Sequence, residues 1–234
     1  MSEQVTYALV GAVAHIAIDD GKANALSHAV LLALNEGLDR AEHEAKAVVL
    51  SGRPGRFCAG FDLSVMTAGP DAVRALVREG GLLMMRLYEF PCPVVVACSG
   101  HALAAGAIML MAADVRIGVQ GAFKIGLNEV SIGMPVPIFA AELARDRLSR
   151  RHLTAATALA TIYDPDGAVD AGYLDTVVEP STLLNEAIGR ADTLASTLNL
   201  RAFRATRTTM RATVAAHVRT SLNDDIGAFF VDQP

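Results

Sequence analysis

The stretch from Pro93 to Ala113 constrains the fold of this chain more than any other. It opens on Pro93-Val94-Val95-Val96-Ala97-Cys98, an apolar run rich in β-branched residues and bounded upstream by Pro91, which reads as a buried strand. Ser99-Gly100-His101 then breaks the run. Mostly small residues, Ala102 to Ala107, lead into a helical segment, Ile108-Met109-Leu110-Met111-Ala112-Ala113. A strand that turns through small residues into a helix leaves the helix's first N–H groups unpaired and lets a ligand come close to them. Such a site favours an oxygen carrying negative charge. Close packing of a buried helix against a strand would give the same pattern, and the stretch alone leaves both readings open.

Between Cys92 and Ala113 a sliding hydropathy window would score a membrane span. The proline-flanked strand and the polar break argue instead for two buried elements, so no membrane partner is expected. With 234 residues, 52% of them apolar and 19% charged, the chain can bury a real core as one globular domain with a helical appendage. A net charge of −5 gives no reason to expect nucleic acid or an anionic membrane as partner. Cys58, Cys92 and Cys98 are odd in number and lack metal-ligand spacing. They read as buried reduced thiols of a cytoplasmic protein, with no metal site. Met1-Ser2-Glu3-Gln4 carries no basic region, so no secretory signal is expected.

In chain order, Val5 to Ile18 alternates around Gly11 and predicts a hairpin. Ser27 is placed to cap a helix running to about Glu44, and Ala47-Val48-Val49-Leu50 is the next strand, which makes a crossover onto one sheet. Arg56 to Leu63 repeats the strand and small-residue turn, and could also present N–H groups at a sheet's edge. Pro70 to Leu87 reads as a helix whose central Gly80-Gly81 should weaken it by roughly 1 kcal/mol per glycine relative to alanine. That pair implies a close contact or a kink, or else two abutting helices. Asp114 to Gly118 and Tyr173 to Val178 read as strands. Phe139 to Arg147, Ser149 to Ala160, Pro165 to Ala171, Leu183 to Leu198 and Arg201 to Thr220 read as helices. Arg201, Arg204, Arg207 and Arg211 recur at helical spacing with no acidic residue from Thr193 to Asn223, and are expected on a solvated face. Glu129 stands among apolar and small neighbours. Such a carboxylate is salt-bridged, caps a turn, or is held unpaired where desolvation raises its pKa toward that of a working base.

Taken in order, Lys22-Ala23-Asn24-Ala25-Leu26, Phe57-Cys58-Ala59-Gly60-Phe61-Asp62-Leu63, Gly100 to Gly106, Asn128 to Pro135 and Ala168 to Asp175 resemble the crotonase superfamily, which includes the enoyl-CoA hydratases and isomerases. The likeness runs from about Val5 to Val178. It implies an α/β fold, a spiral of ββα units over residues 1–178, with a helical C-terminal oligomerisation region over 179–234. It also implies an acyl-CoA thioester as ligand, assembly as a trimer or pair of trimers, and no cofactor beyond the coenzyme A of the substrate.

By motif position, the resemblance assigns the two backbone N–H groups that hold the thioester oxygen to Phe61 and Ala105. It places Lys22, Ala59, Asp62 and Leu63 at the substrate and its coenzyme, with Lys22 near the phosphates. Asp62 either contacts ligand or caps the next helix, and His101 is either an alternative acid or a histidine packed behind the turn. Hydratases of the family carry two glutamates, and the positions fall here at Ile108 and Glu129. Hydration divides its proton transfers between two carboxylates, and Ile108 can do neither part. One carboxylate suffices to move a proton from the α to the γ carbon of a 3-enoyl thioester. The resemblance therefore implies an isomerase with Glu129 as catalytic base, with a hydratase or other crotonase-type reaction and a non-catalytic acyl-CoA binder as the alternatives.

Overall fold

The computed structural model describes residues 4–227. Met1-Ser2-Glu3 and the last residues of the 179–234 region lie outside them. Strands β1 (Val5–Val10) and β2 (Val13–Ile18) form the expected antiparallel hairpin, with Gly11 at φ +60° in its turn. Ser27 caps α1 (His28–Glu44) by accepting from the Val30 N–H, and the helix returns the chain to β3 (Ala47–Ser51), parallel to β2. Strands β5 (Val94–Cys98), β7 (Val115–Val119) and β9 (Thr176–Val178) extend the same sheet in the order β1-β2-β3-β5-β7-β9.

A second sheet holds β4 (Gly55–Cys58), β6 (Gly100–Leu103) and β8 (Ile125–Gly126). Each of its strands follows directly on a strand of the first, so the chain repeatedly turns a corner between sheets. This corrects the reading of Ser99-Gly100-His101 as a break before a helix: Ser99 alone separates β5 from β6, and Gly100 and His101 are strand. The corner is tight. A Cβ on Gly100 would stand 2.1 Å from the Gly55 carbonyl carbon, so no larger residue fits there.

The remaining elements are α2 (Leu63–Met66), α3 (Pro70–Tyr88), α4 (Ala105–Ala112), α5 (Ile138–Arg147), α6 (Leu153–Ala156), α7 (Pro165–Ala171), α8 (Leu183–Thr197) and α9 (Leu200–Gly227). The helix expected over Ser149 to Ala160 shrinks to the single turn α6, the strand over Tyr173 to Val178 begins only at Thr176, and α9 outruns its expected end at Thr220. Gly80-Gly81 does not divide α3, which runs unbroken from Pro70 to Tyr88, and both glycines make close contacts.

At the centre of the large sheet both faces are buried, which explains why β5 is apolar throughout rather than alternating. Val94, Val96 and Cys98 face the main core with α1, α3 and α4, while Val95 and Ala97 face α8 through Ala187, Ala191 and Ala195. The three cysteines are free and buried, and burial pushes each thiol up to about 12.

Of the four arginines expected on a solvated face of α9, Arg201 and Arg204 are exposed, but Arg207 and Arg211 are not. Arg207 is only 7% exposed, and it and Arg211 both pair with Asp114, which also accepts from the Val94 N–H at 2.8 Å. Arg204, Arg207 and Arg211 donate to the main-chain carbonyls of Pro91, Phe90 and Tyr88 respectively. The acidic partner lies on a distant segment, so local charge counting in the helix could not find it. Among the described residues no helix is long and apolar enough to cross a membrane, and no cluster of side chains suits a metal ion.

Candidate active site

The site forms where the ends of β4 and β6 meet the start of α4. After β4 the chain passes through Gly60, at φ +108°, and Phe61 bridges Leu26 in parallel. Leu26 donates to the Gly60 carbonyl (2.8 Å) and accepts from the Asp62 N–H (3.1 Å). In an extended segment successive N–H groups point to opposite sides, so the Phe61 N–H faces away from Leu26. Asp62 caps α2, its Oδ1 accepting from the Ser64 N–H (2.8 Å) and hydroxyl (2.7 Å). Of its two expected roles, the structure records the cap.

The second turn follows β6. Ala104 adopts φ +48° and donates to the Gly126 carbonyl (3.1 Å), and its own carbonyl accepts from Ile108 N–H (3.0 Å), the first rung of the α4 ladder. The N–H groups of Ala105, Gly106 and Ala107 thus precede the intrahelical bonds. The two turns nearly touch. A Cβ on Gly60 would lie 3.1 Å from Ala104 Cβ and 3.8 Å from Ala105 N, and one on Gly106 would lie 2.2 Å from the Cys58 carbonyl oxygen. Only glycines at 60 and 106 allow this approach.

The segment 22–26 is docked beside these turns by Asn24, a residue whose function the sequence reading missed. Asn24 is wholly buried at φ +55°, and its amide donates to the carbonyls of Ile18 and Arg56, both at 2.9 Å. The Asp20 carboxylate accepts from the N–H groups of Lys22 (2.7 Å), Asn24 (2.9 Å) and Ala25 (3.1 Å). Burial pushes its pKa up, but these bonds and Arg53 outweigh it and hold it below the usual carboxylate range. The clue in the sequence was an asparagine in the turn-forming run Asp19-Asp20-Gly21-Lys22-Ala23-Asn24, a residue type that tolerates positive φ.

Glu129 follows β8 and opens a single 3-10 turn, Val130–Ile132, its carbonyl accepting from Ile132 and Met134 N–H groups, both at 3.0 Å. It is 6% exposed, and its Oε2 has no hydrogen-bond partner. Burial pushes its pKa up to about 7, against the opposing pull of its own N–H and that of Asn128. Of the three states open to it from sequence, it occupies the unpaired one.

A cleft of about 700 Å³ joins these parts. Lys22, Ala59, Phe61, Asp62, Leu63 and Glu129 all line it, as does Ile108. Ala105 is wholly buried just behind the wall, where its neighbour Ala104 faces the cleft. Met66, Val77, Met134 and Pro137 supply further apolar wall that motif reading did not identify. His101 lies outside the cleft. It is half-buried, edge-on to Phe123 at 5.3 Å, with Nδ1 accepting from the Lys124 N–H (2.9 Å), so it is neither an acid of this site nor a core residue.

Comparison with known proteins places the chain in a family. The family model for enoyl-CoA hydratase/isomerase matches residues 9–230. A probable enoyl-CoA hydratase of Bacillus subtilis is 36% identical over 55% of this chain and 50% of its own length. The mitochondrial enoyl-CoA delta isomerase 1 of Homo sapiens is 28% identical over 88% of this chain and 70% of its own. The chain thus spans half or less of the first curated relatives it matches. Solved structures match more fully. An enoyl-CoA hydratase/isomerase family protein from Pseudomonas syringae superposes with a TM-score of 0.95 at 38% identity, covering 97% of this chain and 99% of the other. An enoyl-CoA isomerase of Mycobacterium tuberculosis gives 0.92 at 37%, covering 98% and 100%. Fold, motif order and family match together make this chain a member of the enoyl-CoA hydratase/isomerase family, the crotonase superfamily.

Proposed function

We propose that this chain isomerises 3-enoyl-CoA thioesters to 2-enoyl-CoA thioesters, with Glu129 as the single proton carrier. The observation that carries the reading is the unequal state of the cleft's carboxylates. Asp20 is held by three backbone N–H groups and Asp62 by the cap of α2, whereas Glu129 keeps an unpartnered oxygen and a pKa of about 7. A base poised there takes a proton at neutral pH and gives it back.

In the proposed reaction the Glu129 carboxylate removes a proton from the α carbon, and the electron pair passes to the thioester oxygen as a dienolate. The N–H groups of Phe61 and Ala105 hold that oxygen as its charge develops, each donor contributing on the order of 100- to 1,000-fold in rate. The protonated Glu129 then delivers the same proton to the γ carbon, and the double bond moves by one position with no other reactant. Ile108, apolar and 1% exposed, offers no second carboxylate to deprotonate a water. Lys22, exposed at the cleft's rim, is assigned to the phosphates of the coenzyme.

The names of relatives do not choose between reactions, since both hydratases and isomerases are among them. Assaying the purified chain on 2-enoyl- and 3-enoyl-CoA side by side chooses directly. The expected result is double-bond migration with water addition at least about 100-fold slower, the span of one missing general acid–base group. Robust hydration would overturn the isomerase reading. Tight binding without turnover of either substrate would make the chain an acyl-CoA binder.

A further inference from the structure

The glycine pair of α3 meets the cleft at a place that motif reading leaves unassigned. Val77 lines the cleft from α3, and Gly80 lies one turn further along the same face. Where a side chain at 80 would stand there is instead the ring of Phe61. A Cβ on Gly80 would lie 2.3 Å from Phe61 Cε1 and 2.4 Å from Cζ. The ring therefore sits in a notch that exists because residue 80 has no side chain.

Neither backbone is free to make room. Gly60 and Asp62, on either side of Phe61, are hydrogen-bonded to Leu26 at 2.8 and 3.1 Å. On α3 the next residue, Gly81, is packed against α5 and α9: a Cβ there would lie 3.1 Å from the Phe139 ring and 3.2 Å from Leu222 Cδ1. With both main chains held, a methyl group at 80 forces the ring to turn about its own side-chain bonds. The open space beside it is the cleft that Phe61 already lines.

We propose that Gly80 is a positioning residue: its bare backbone parks the Phe61 ring against α3 and so keeps the acyl part of the cleft open beside the Phe61 N–H. This rests on the cleft being an acyl-thioester site, whichever reaction it carries out. The residue acts through Phe61 and touches no reacting atom.

Calorimetric titration of the parent and Gly80→Ala with free CoA and with octanoyl-CoA tests the assignment. Free CoA should bind both proteins within about twofold, because the ring lies on the acyl side, whereas octanoyl-CoA should bind Gly80→Ala about tenfold more weakly, the worth of one to two methylenes left unburied. Adding Phe61→Leu, which keeps the main-chain N–H but removes the ring, should restore octanoyl-CoA to within about threefold of the parent. A purely structural defect would weaken both ligands alike. Should Gly80→Ala not fold by itself, the comparison moves to the Phe61→Leu background, where adding Gly80→Ala must leave octanoyl-CoA binding within the same threefold. Unchanged octanoyl-CoA binding by Gly80→Ala, equal loss of free CoA, or a tenfold loss in the Phe61→Leu background would each overturn the assignment while leaving the proposed reaction standing. A parent that binds no acyl-CoA would overturn both.

Discussion

Glu129→Gln is expected to lower turnover by roughly 100- to 10,000-fold while leaving acyl-CoA affinity nearly unchanged, because glutamine keeps the shape but cannot carry the proton. The same variant should be more stable than the parent above pH 7. The native carboxyl holds its proton up to about pH 7, whereas an unperturbed glutamate releases it near 4.5. Between those values the folded state binds more protons than the unfolded one, so the carboxyl's contribution to stability falls as pH rises through that window and stays low above it. The full difference is on the order of 3 kcal/mol. Glutamine removes the titration, so the gap in melting temperature between variant and parent should widen from pH 5 to 7 and then level off. Activity should move oppositely in the parent, rising as pH climbs through about 7 and the base ionises. Melting curves and a pH–rate profile check both arms, and an unimpaired Glu129→Gln would remove Glu129 from the chemistry.

The second large effect is structural. Asp114→Ala should destabilise the fold by about 3–5 kcal/mol, because it leaves the nearly buried charges of Arg207 and Arg211 without their counter-ion. It also removes the acceptor for the Val94 N–H at the start of β5. The comparison variant is Arg219→Ala. Arg219 also forms an ion pair from α9, with Glu89 at 2.7 Å, but its side chain is 65% exposed, so its loss should be within about 1 kcal/mol. Urea denaturation of the two variants under one set of conditions measures the contrast. Equal losses would mean that burial does not govern these pairs.

The parts of this fold that were legible in the sequence are those whose signals are local. Ser27 announces α1 by a side chain that accepts a bond three residues on, and Gly11 marks the first hairpin by the backbone angle it permits. The motif segments at 22–26, 57–63 and 100–106 announced the cleft because each one both builds backbone geometry and lines it. Other features depend on partners far along the chain. Nothing near Ser99 says that the next strand belongs to another sheet, since that is decided by Gly100 meeting Gly55. Nothing within α9 says that Arg207 is buried, since its counter-ion is 93 positions away. Gly80-Gly81 allowed a close contact, a kink or two abutting helices, and the Phe61 and Phe139 rings in place of the missing side chains select the first. Glu129 was narrowed to three states by its neighbours, and only packing could select one.

The way α9 is fastened has a consequence for what can vary in this protein. Three of its arginines reach the carbonyl oxygens of Tyr88, Phe90 and Pro91, groups present whatever the side chains are. The receiving surface adds side chains of its own: Asp114 pairs with Arg207 and Arg211, Glu89 pairs with Arg219, and the Tyr88 ring lies under the Arg211 guanidinium. Substitutions at 88 and 89 would therefore remove side-chain contacts yet leave the carbonyl acceptors in place, whereas the arginine spacing cannot slip by a single residue without turning every donor about 100° from its acceptor. The helix is the key, and only part of its lock is backbone.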